Sequence, residues 1–181
     1  MVDRYHRFNP EIWGGIECSI NRVGDDFFDQ LSFSNHYKRG KEDIQRFAQL
    51  GIKALRYPVL WEYHQPQQHG TINWSWTEAQ LHAMAGHRIT PIVGLLHHGS
   101  GPSYTRLDDE DFSGKFAAYA FEVARKFPWL THYNPINEPL TTARFSGLYG
   151  LWYPHHRKAK SFARMLVNQL KGIVLAMQNI R

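Results

Sequence analysis

The apolar stretch Leu130 to Ile136 is followed directly by Asn137-Glu138-Pro139, which places a carboxyl at the end of a strand-like segment. A strand ending in Asn-Glu points to hydrolysis of a glycosidic bond. That reaction needs two carboxylates on opposite sides of the scissile bond, one protonated and one not, so Glu138 alone supplies half of such a mechanism. Other groups able to do chemistry close further apolar segments: Glu17, the run Arg56 to Trp61, and the pair His97-His98. Each also has an ordinary reading, as a solvated strand end or, for Trp61, as core. Four such ends in register are harder to dismiss. An aromatic floor such as Trp61 or Trp152 would suit sugars, whose C–H faces are apolar while their hydroxyls need hydrogen-bond partners.

The segments that must position these groups alternate in type. Strands are expected over 12–17, 52–61, 89–96 and 130–137, the third being nearly continuous in apolar residues as for a strand covered on both faces. Between them run helical patterns. Ile44, Phe47 and Ala48 mark one over Glu42 to Leu50, and Ser75-x-x-Glu78 forms a candidate capping box ahead of Leu81, Met84 and Ala85, with Gly86 as the stop. Phe116 to Phe127 forms a wide stripe ended by Pro128, and a last helix carries Phe162, Met165, Leu166, Leu170, Ile173, Val174 and Met177. Strands alternating with helices predict an α/β fold with a parallel sheet. Gly99-Ser100-Gly101 lacks the third glycine of a dinucleotide loop and no Walker loop exists, so nucleotide-binding folds lose support. In a (β/α) barrel, active-site residues gather where strands finish. Pro58, Pro91 and Pro135 fit only near strand ends or bulges.

Composition narrows the class. With 181 residues, 43% apolar and 14% aromatic, the chain can bury a core as one domain. No apolar run approaches the roughly 20 residues of a membrane span, and Met1 to Arg7 is not followed by a signal-peptide core, so a cytoplasmic location with no membrane partner is expected. The single Cys18 can form neither an internal disulfide nor a thiolate metal site, and is expected in the core. The net charge of +5 comes from dispersed basic residues interleaved with carboxylates, which argues against nucleic acid. No metal or other cofactor is expected. His97-His98 and His155-His156 are adjacent pairs whose members would point to opposite faces of a strand, and no His-Glu-x-x-His spacing occurs.

In combination, several segments resemble glycoside hydrolase family 1, the β-glucosidase-like members of a retaining (β/α)₈ clan. They are His36-Tyr37 with Glu42-Asp43-Ile44, Leu50-Gly51-Ile52-Lys53-Ala54-Leu55-Arg56-Tyr57, Leu95-Leu96-His97 and Asn137-Glu138-Pro139, and the likeness spans most of residues 11–157. The resemblance implies the N-terminal half, about four βα units, of a TIM (β/α)₈ barrel. It implies that Glu138 is the general acid/base, that Asn137 bonds the sugar 2-hydroxyl, and that His97 holds a glycone hydroxyl. Arg56 would sit beside the nucleophile and keep that carboxylate ionised. Glu17 stands where the family usually has Gln, and a carboxylate accepts hydrogen bonds without donating them. Leu96-His97-His98 replaces Tyr-His-Trp, and Pro135 replaces Thr, so two walls of the glycone pocket are altered. The pattern resembles a divergent branch that includes domains preceding a dTDP-4-dehydrorhamnose reductase. A complete barrel takes roughly 250 residues, and the implied nucleophile lies on a seventh strand, so weak or no activity of the isolated chain is expected. Open sheet edges would call for a homo-oligomer or for the other half of the barrel. A carbohydrate substrate is the expected partner. The competing expectation is a non-catalytic carbohydrate-binding or scaffold domain.

Overall fold

The chain, described for residues 10–181 by a computed structural model, begins with β1 (Ile12–Gly15) and folds the antiparallel hairpin β2 (Ile20–Val23) and β3 (Asp26–Asp29). A single helical turn, α1 (Gln30–Phe33), leads to α2 (His36–Gln49). There follow β4 (Ile52–Pro58), α3 (Trp61–His64), α4 (Ser75–Gly86), β5 (Thr90–His97), α5 (Phe112–Lys126) and β6 (His132–Asn137). The chain then passes through α6 (Pro139–Ala143), a π-helical turn (Arg144–Leu148) and α7 (Ala159–Ile180). The segment Met1 to Arg7, considered above for a targeting signal, lies outside the described residues. No helix among the described residues is long and apolar enough to cross a membrane.

Four parallel strands form one sheet in the order β1-β4-β5-β6, with β1 and β6 at its edges. This is the α/β arrangement of a partial TIM barrel. The apolar run of β5 is buried from Val93 to Leu96 because helices cover the sheet, as parallel strands require. Leu55, Tyr57, Val93 and Leu95 pack in one core with Leu81 and Met84 of α4 and Phe112, Phe116 and Tyr119 of α5. Each fully buried side chain of this kind contributes about 1.5–3 kcal/mol. Helix α7 closes on α5 at Gly172, where a Cβ would lie 3.3 Å from the Phe116 ring. Buried Asn168 of α7 donates to the carbonyls of Leu107 and Asp109, both at 2.9 Å, which anchors the loop that follows β5.

Several boundaries differ from the sequence expectation for identifiable reasons. The first strand stops at Gly15, before Glu17. The second ends at Pro58, which has no N–H for the ladder, although Val59 N–H still donates to the Gly94 carbonyl at 2.9 Å. Helix α2 begins six residues earlier than Glu42, at His36. Its first turns hold Gly40, which reads as a helix breaker, yet a Cβ there would come within 2.6 Å of Gln80 Oε1. The glycine permits the approach of α4. The capping box at Ser75 is not formed. Asn73 Oδ1 accepts from Ser75 N–H at 3.0 Å and from its hydroxyl at 2.7 Å, while Glu78 pairs with Lys126 at 3.0 Å. Between β1 and α2, where no strand is expected from the sequence, lies the β2–β3 hairpin.

Candidate active site

The ends of β4, β5 and β6 bring distant side chains into one hydrogen-bonded group. The β5–β6 register sets His97 opposite Asn137. Arg56, at the end of β4, donates from Nη1 to Asn137 Oδ1 at 2.7 Å and from Nη2 to Glu17 Oε1 at 3.0 Å. Because Oδ1 also receives Asn134 Nδ2 at 3.3 Å, the Asn137 amide is fixed with its Nδ2 toward the imidazoles, 3.3 Å from Nε2 of both His97 and His98. His97 Nε2 is also 3.2 Å from Glu17 Oε2. One proton assignment satisfies all of these contacts except the Asn137–His97 approach: His97 Nε2–H donates to Glu17, and Asn137 donates to unprotonated Nε2 of His98. Nδ1–H of His98 then donates to Thr142 Oγ1 at 3.2 Å.

His97 and His98 do not diverge, as adjacent strand residues would. His98 has a left-handed backbone with φ of 52°, just past the last residue of β5, and this turns its ring back so that the two centroids lie 4.9 Å apart. Both imidazoles are held below their ordinary pKa, chiefly by burial. For His97 the neighbouring His98 adds to the effect, whereas Glu138 opposes it for His98. Neutral rings suit the assigned network, in which His98 accepts through Nε2.

Glu138 follows β6 with φ of 47° and ψ of 60°, in the left-handed region that a non-glycine residue rarely adopts. Pro139, whose ring suits the first position of a helix, opens α6 behind it. The Glu138 carboxyl is 3.8 Å from His98 Nε2 and largely exposed. It faces an open depression of about 370 Å³ that Glu17 also lines. Ser19, Asn21 and Gln30 form a polar wall and Phe28, Phe145 and Trp152 an aromatic one. Trp152 lies 5.6 Å from the His98 ring and 4.7 Å from that of Phe145. An arrangement of two carboxylates, hydroxyl and amide donors and aromatic faces can bind a polyol and protonate an oxygen of it.

Of the residues singled out in the sequence, Glu17, Arg56, His97 and Asn137 meet, with Glu138 beside them. Trp61 does not. It opens α3 with 1% of its surface exposed, packs 5.8 Å from Phe116 and 6.1 Å from Tyr119, and donates its indole N–H toward Gln65 and Tyr104. Its expected role as a sugar platform is therefore corrected to core packing, since the chain turns into α3 after Leu60 and carries the ring under α5. Glu62, one residue further on, lines a separate cavity that shares no lining residue with the depression. The hairpin residues Ser19, Asn21, Phe28 and Gln30, together with Thr142, escaped the sequence reading. A faint signal for the hairpin existed in Ile20 to Val23 and Asp26 to Asp29 on either side of Gly24-Asp25. Among the described residues no three His, Cys, Asp or Glu side chains converge as a metal site.

No family model matches the chain. Individual proteins do. The chain is 27% identical over 159 residues to β-glucosidase A of Thermotoga maritima, which covers 81% of this chain and 34% of that protein. It is 28% identical over 140 residues to β-glucosidase 6 of Oryza sativa subsp. japonica, covering 73% of this chain and 27% of that protein. Among solved structures, a family 1 β-glucosidase from Thermotoga maritima superposes with a TM-score of 0.73 at 25% identity, over 80% of this chain and 34% of that one. The AHE enzyme from Alicyclobacillus herbarius gives 0.75 at 25% identity, over 81% and 35%. The chain thus spans about a third of the length of the relatives it matches.

Proposed function

We propose, for a glycoside hydrolase-like chain homologous to the family 1 β-glucosidases, that the depression beside Glu138 binds the sugar of a β-linked glycoside and that Glu138 is the acid/base of its hydrolysis. The observation that carries the reading is the juxtaposition of Glu138 with Asn137 and Arg56, three residues that the family resemblance assigns to one site and that sit at the ends of β4 and β6. In this mechanism the Glu138 carboxyl gives its proton to the glycosidic oxygen as the bond to the anomeric carbon breaks, and the aglycone leaves as an alcohol. The resulting carboxylate then takes a proton from the water that attacks the anomeric carbon and releases the sugar.

Asn137, oriented by Arg56, donates to a hydroxyl next to the reacting carbon, a bond that strengthens as positive charge develops there. The His97 and Glu17 pair supplies further polar contacts to the ring, while Trp152 and Phe145 cover an apolar face. A double displacement also requires a carboxylate opposite Glu138. By the resemblance it belongs to the seventh strand of a complete barrel, and the four strands described here correspond to the first four. A cytosolic setting belongs to this reading and is supported by the lone, buried Cys18.

Glucoimidazole is bound by a Thermotoga maritima β-glucosidase in one of the similar structures, and it provides the test. Calorimetric titration of the chain with glucoimidazole, paired with an aryl β-D-glucoside assay, is repeated on Glu138→Gln. Turnover that disappears in the variant supports the acid/base role. Binding without turnover in either protein favours a carbohydrate-binding domain, and neither binding nor turnover removes the reading.

A further inference from the structure

The β2–β3 hairpin divides two cavities, and the second has no part in the site above. With Ile20 paired to Asp29 and Asn21 to Phe28, alternate residues line opposite sides. Ser19, Asn21, Phe28 and Gln30 line the depression beside Glu138, whereas Ile20, Phe27 and Asp29 line a cavity of about 310 Å³ closed by Glu62, Tyr63 and Pro102. Glu62 is 8% exposed. Its Oε1 accepts the Gly101 N–H at 3.2 Å, and a Cβ at Gly99 would fall 1.9 Å from that oxygen, so the loop after β5 admits the carboxyl here only because residue 99 is glycine. Its Oε2 is buried without any hydrogen-bond partner. A buried carboxyl left in this state carries an uncompensated desolvation cost whether or not it is protonated.

The surroundings specify what would complete it. The charged group facing Glu62 is another carboxylate, Asp29, which already accepts from Leu31 N–H at 2.9 Å, Ser32 N–H at 3.3 Å and the Tyr37 hydroxyl at 2.8 Å. The tyrosines around it, Tyr63, Tyr104 and Tyr119, are all pushed above their ordinary pKa by burial and remain neutral. On the same hairpin, Arg22 lies 5.4 Å over the Phe27 ring and is held by Asp25 at 3.2 Å, the Gly24 carbonyl at 3.0 Å and the Tyr153 ring at 3.7 Å, while its Nη1 is buried without a hydrogen-bond partner; among the described residues it makes no ion pair with Glu62 or Asp29. An occupant must therefore bring donors, match negative charge and offer apolar surface to Ile20, Phe27 and Pro102. We infer that this cavity is a binding site for a small organic ammonium ion, its N–H groups bonding the Glu62 carboxyl and its apolar body lying against Phe27 and Tyr63. Binding transfers no covalent bond. It converts Glu62 from carboxylic acid to carboxylate, with the proton passing to solvent, because burial otherwise pushes this carboxyl up to about 8.

Benzylamine and its neutral counterpart benzyl alcohol are the probes. Titration calorimetry of the 181-residue chain at pH 7, in two buffers of different ionisation enthalpy, is expected to show saturable benzylamine binding with a heat that depends on the buffer. Benzyl alcohol should bind at least about tenfold more weakly. Glu62→Gln, with its fold checked by circular dichroism, should lose about tenfold in benzylamine affinity and all buffer dependence, whereas Glu138→Gln should bind as the unaltered protein does. Equal binding of the alcohol, unchanged binding to Glu62→Gln, loss of binding in Glu138→Gln, or no saturable binding would each overturn the assignment.

Discussion

Arg56 Nη1 and Asn137 Oδ1 lie 2.7 Å apart across 81 residues of sequence, and this bond decides which way the Asn137 amide points. The guanidinium fork bonds Asn137 and Glu17 at once, a geometry that a single ammonium cannot reproduce. Arg56→Lys should therefore release the amide while preserving the charge. The expected loss in kcat/KM on an aryl β-glucoside is roughly 10- to 100-fold, the range for a hydrogen bond to a charged group. A parallel loss in glucoimidazole affinity would place the effect on sugar binding. Kinetics indistinguishable from the unaltered protein would show that the orientation of Asn137 has no functional consequence.

Glu138 stands in a conformation that suits glycine, with a side chain largely in solvent. Strain kept at a residue with few stabilising contacts is expected to serve activity rather than stability. Glu138→Gly should raise the unfolding free energy by about 0.5–1 kcal/mol, since the left-handed penalty is relieved, and should abolish turnover. Urea denaturation measures the first effect. A clear fall in stability would mean that the Glu138 side chain holds the loop and that the conformation is not strained.

The departure at Glu17 invites a separate test. Its two oxygens take up one Arg56 donor and one His97 donor, so neither is offered to a sugar without competition. Glu17→Gln keeps an acceptor and adds an amide donor for the sugar. The expected outcome is tighter binding of neutral glucoimidazole by the variant, by a factor of roughly 3–10, the range of one modest neutral hydrogen bond. Weaker binding would show that the carboxylate, by holding Arg56, contributes more as a scaffold than it costs as a ligand.

What could be read from the sequence follows a physical division. The apolar runs of β4 and β5 and the stripe of α5 are set by burial and were legible, as were Arg56, His97 and Glu138 at the strand ends. Trp61 was misplaced because one indole serves equally as core or as sugar platform, and only the turn into α3 after Leu60 decides between them. The shared side of His97 and His98 was illegible for another reason: it depends on a positive φ at a residue that is neither glycine nor asparagine. The hairpin was hidden because its strands have four residues each and face cavities rather than a continuous core, which blurs the alternation.

Two buried groups near each other in sequence should give the stability profile a distinctive shape. His64 donates Nδ1–H to the Asn73 carbonyl at 2.9 Å and accepts the Thr77 hydroxyl at Nε2, 2.7 Å away, and burial pulls it down to about 4 from 6.5. The folded protein thus disfavours its protonation, and this contribution is full above pH 6.5 and lost as pH falls toward 4. Glu62, pushed up from 4.5 to about 8, acts with the opposite sign. The folded state holds its proton more tightly than the unfolded one, so stability declines as pH rises from 4.5 to 8 and then levels. Between pH 4.5 and 6.5 the two slopes offset each other. Between 6.5 and 8 only Glu62 remains, and the unaltered protein should lose stability there, on the order of 1–2 kcal/mol. Glu62→Gln should be flat in that window. Thr77→Val, which leaves Nε2 of His64 without its donor, should lower stability by about 1–3 kcal/mol at pH 7 while leaving the decline above pH 6.5 in place. Urea midpoints at half-unit pH intervals separate these outcomes. A flat profile from 6.5 to 8 in the unaltered protein would show that Glu62 is ionised in the fold and has found a partner.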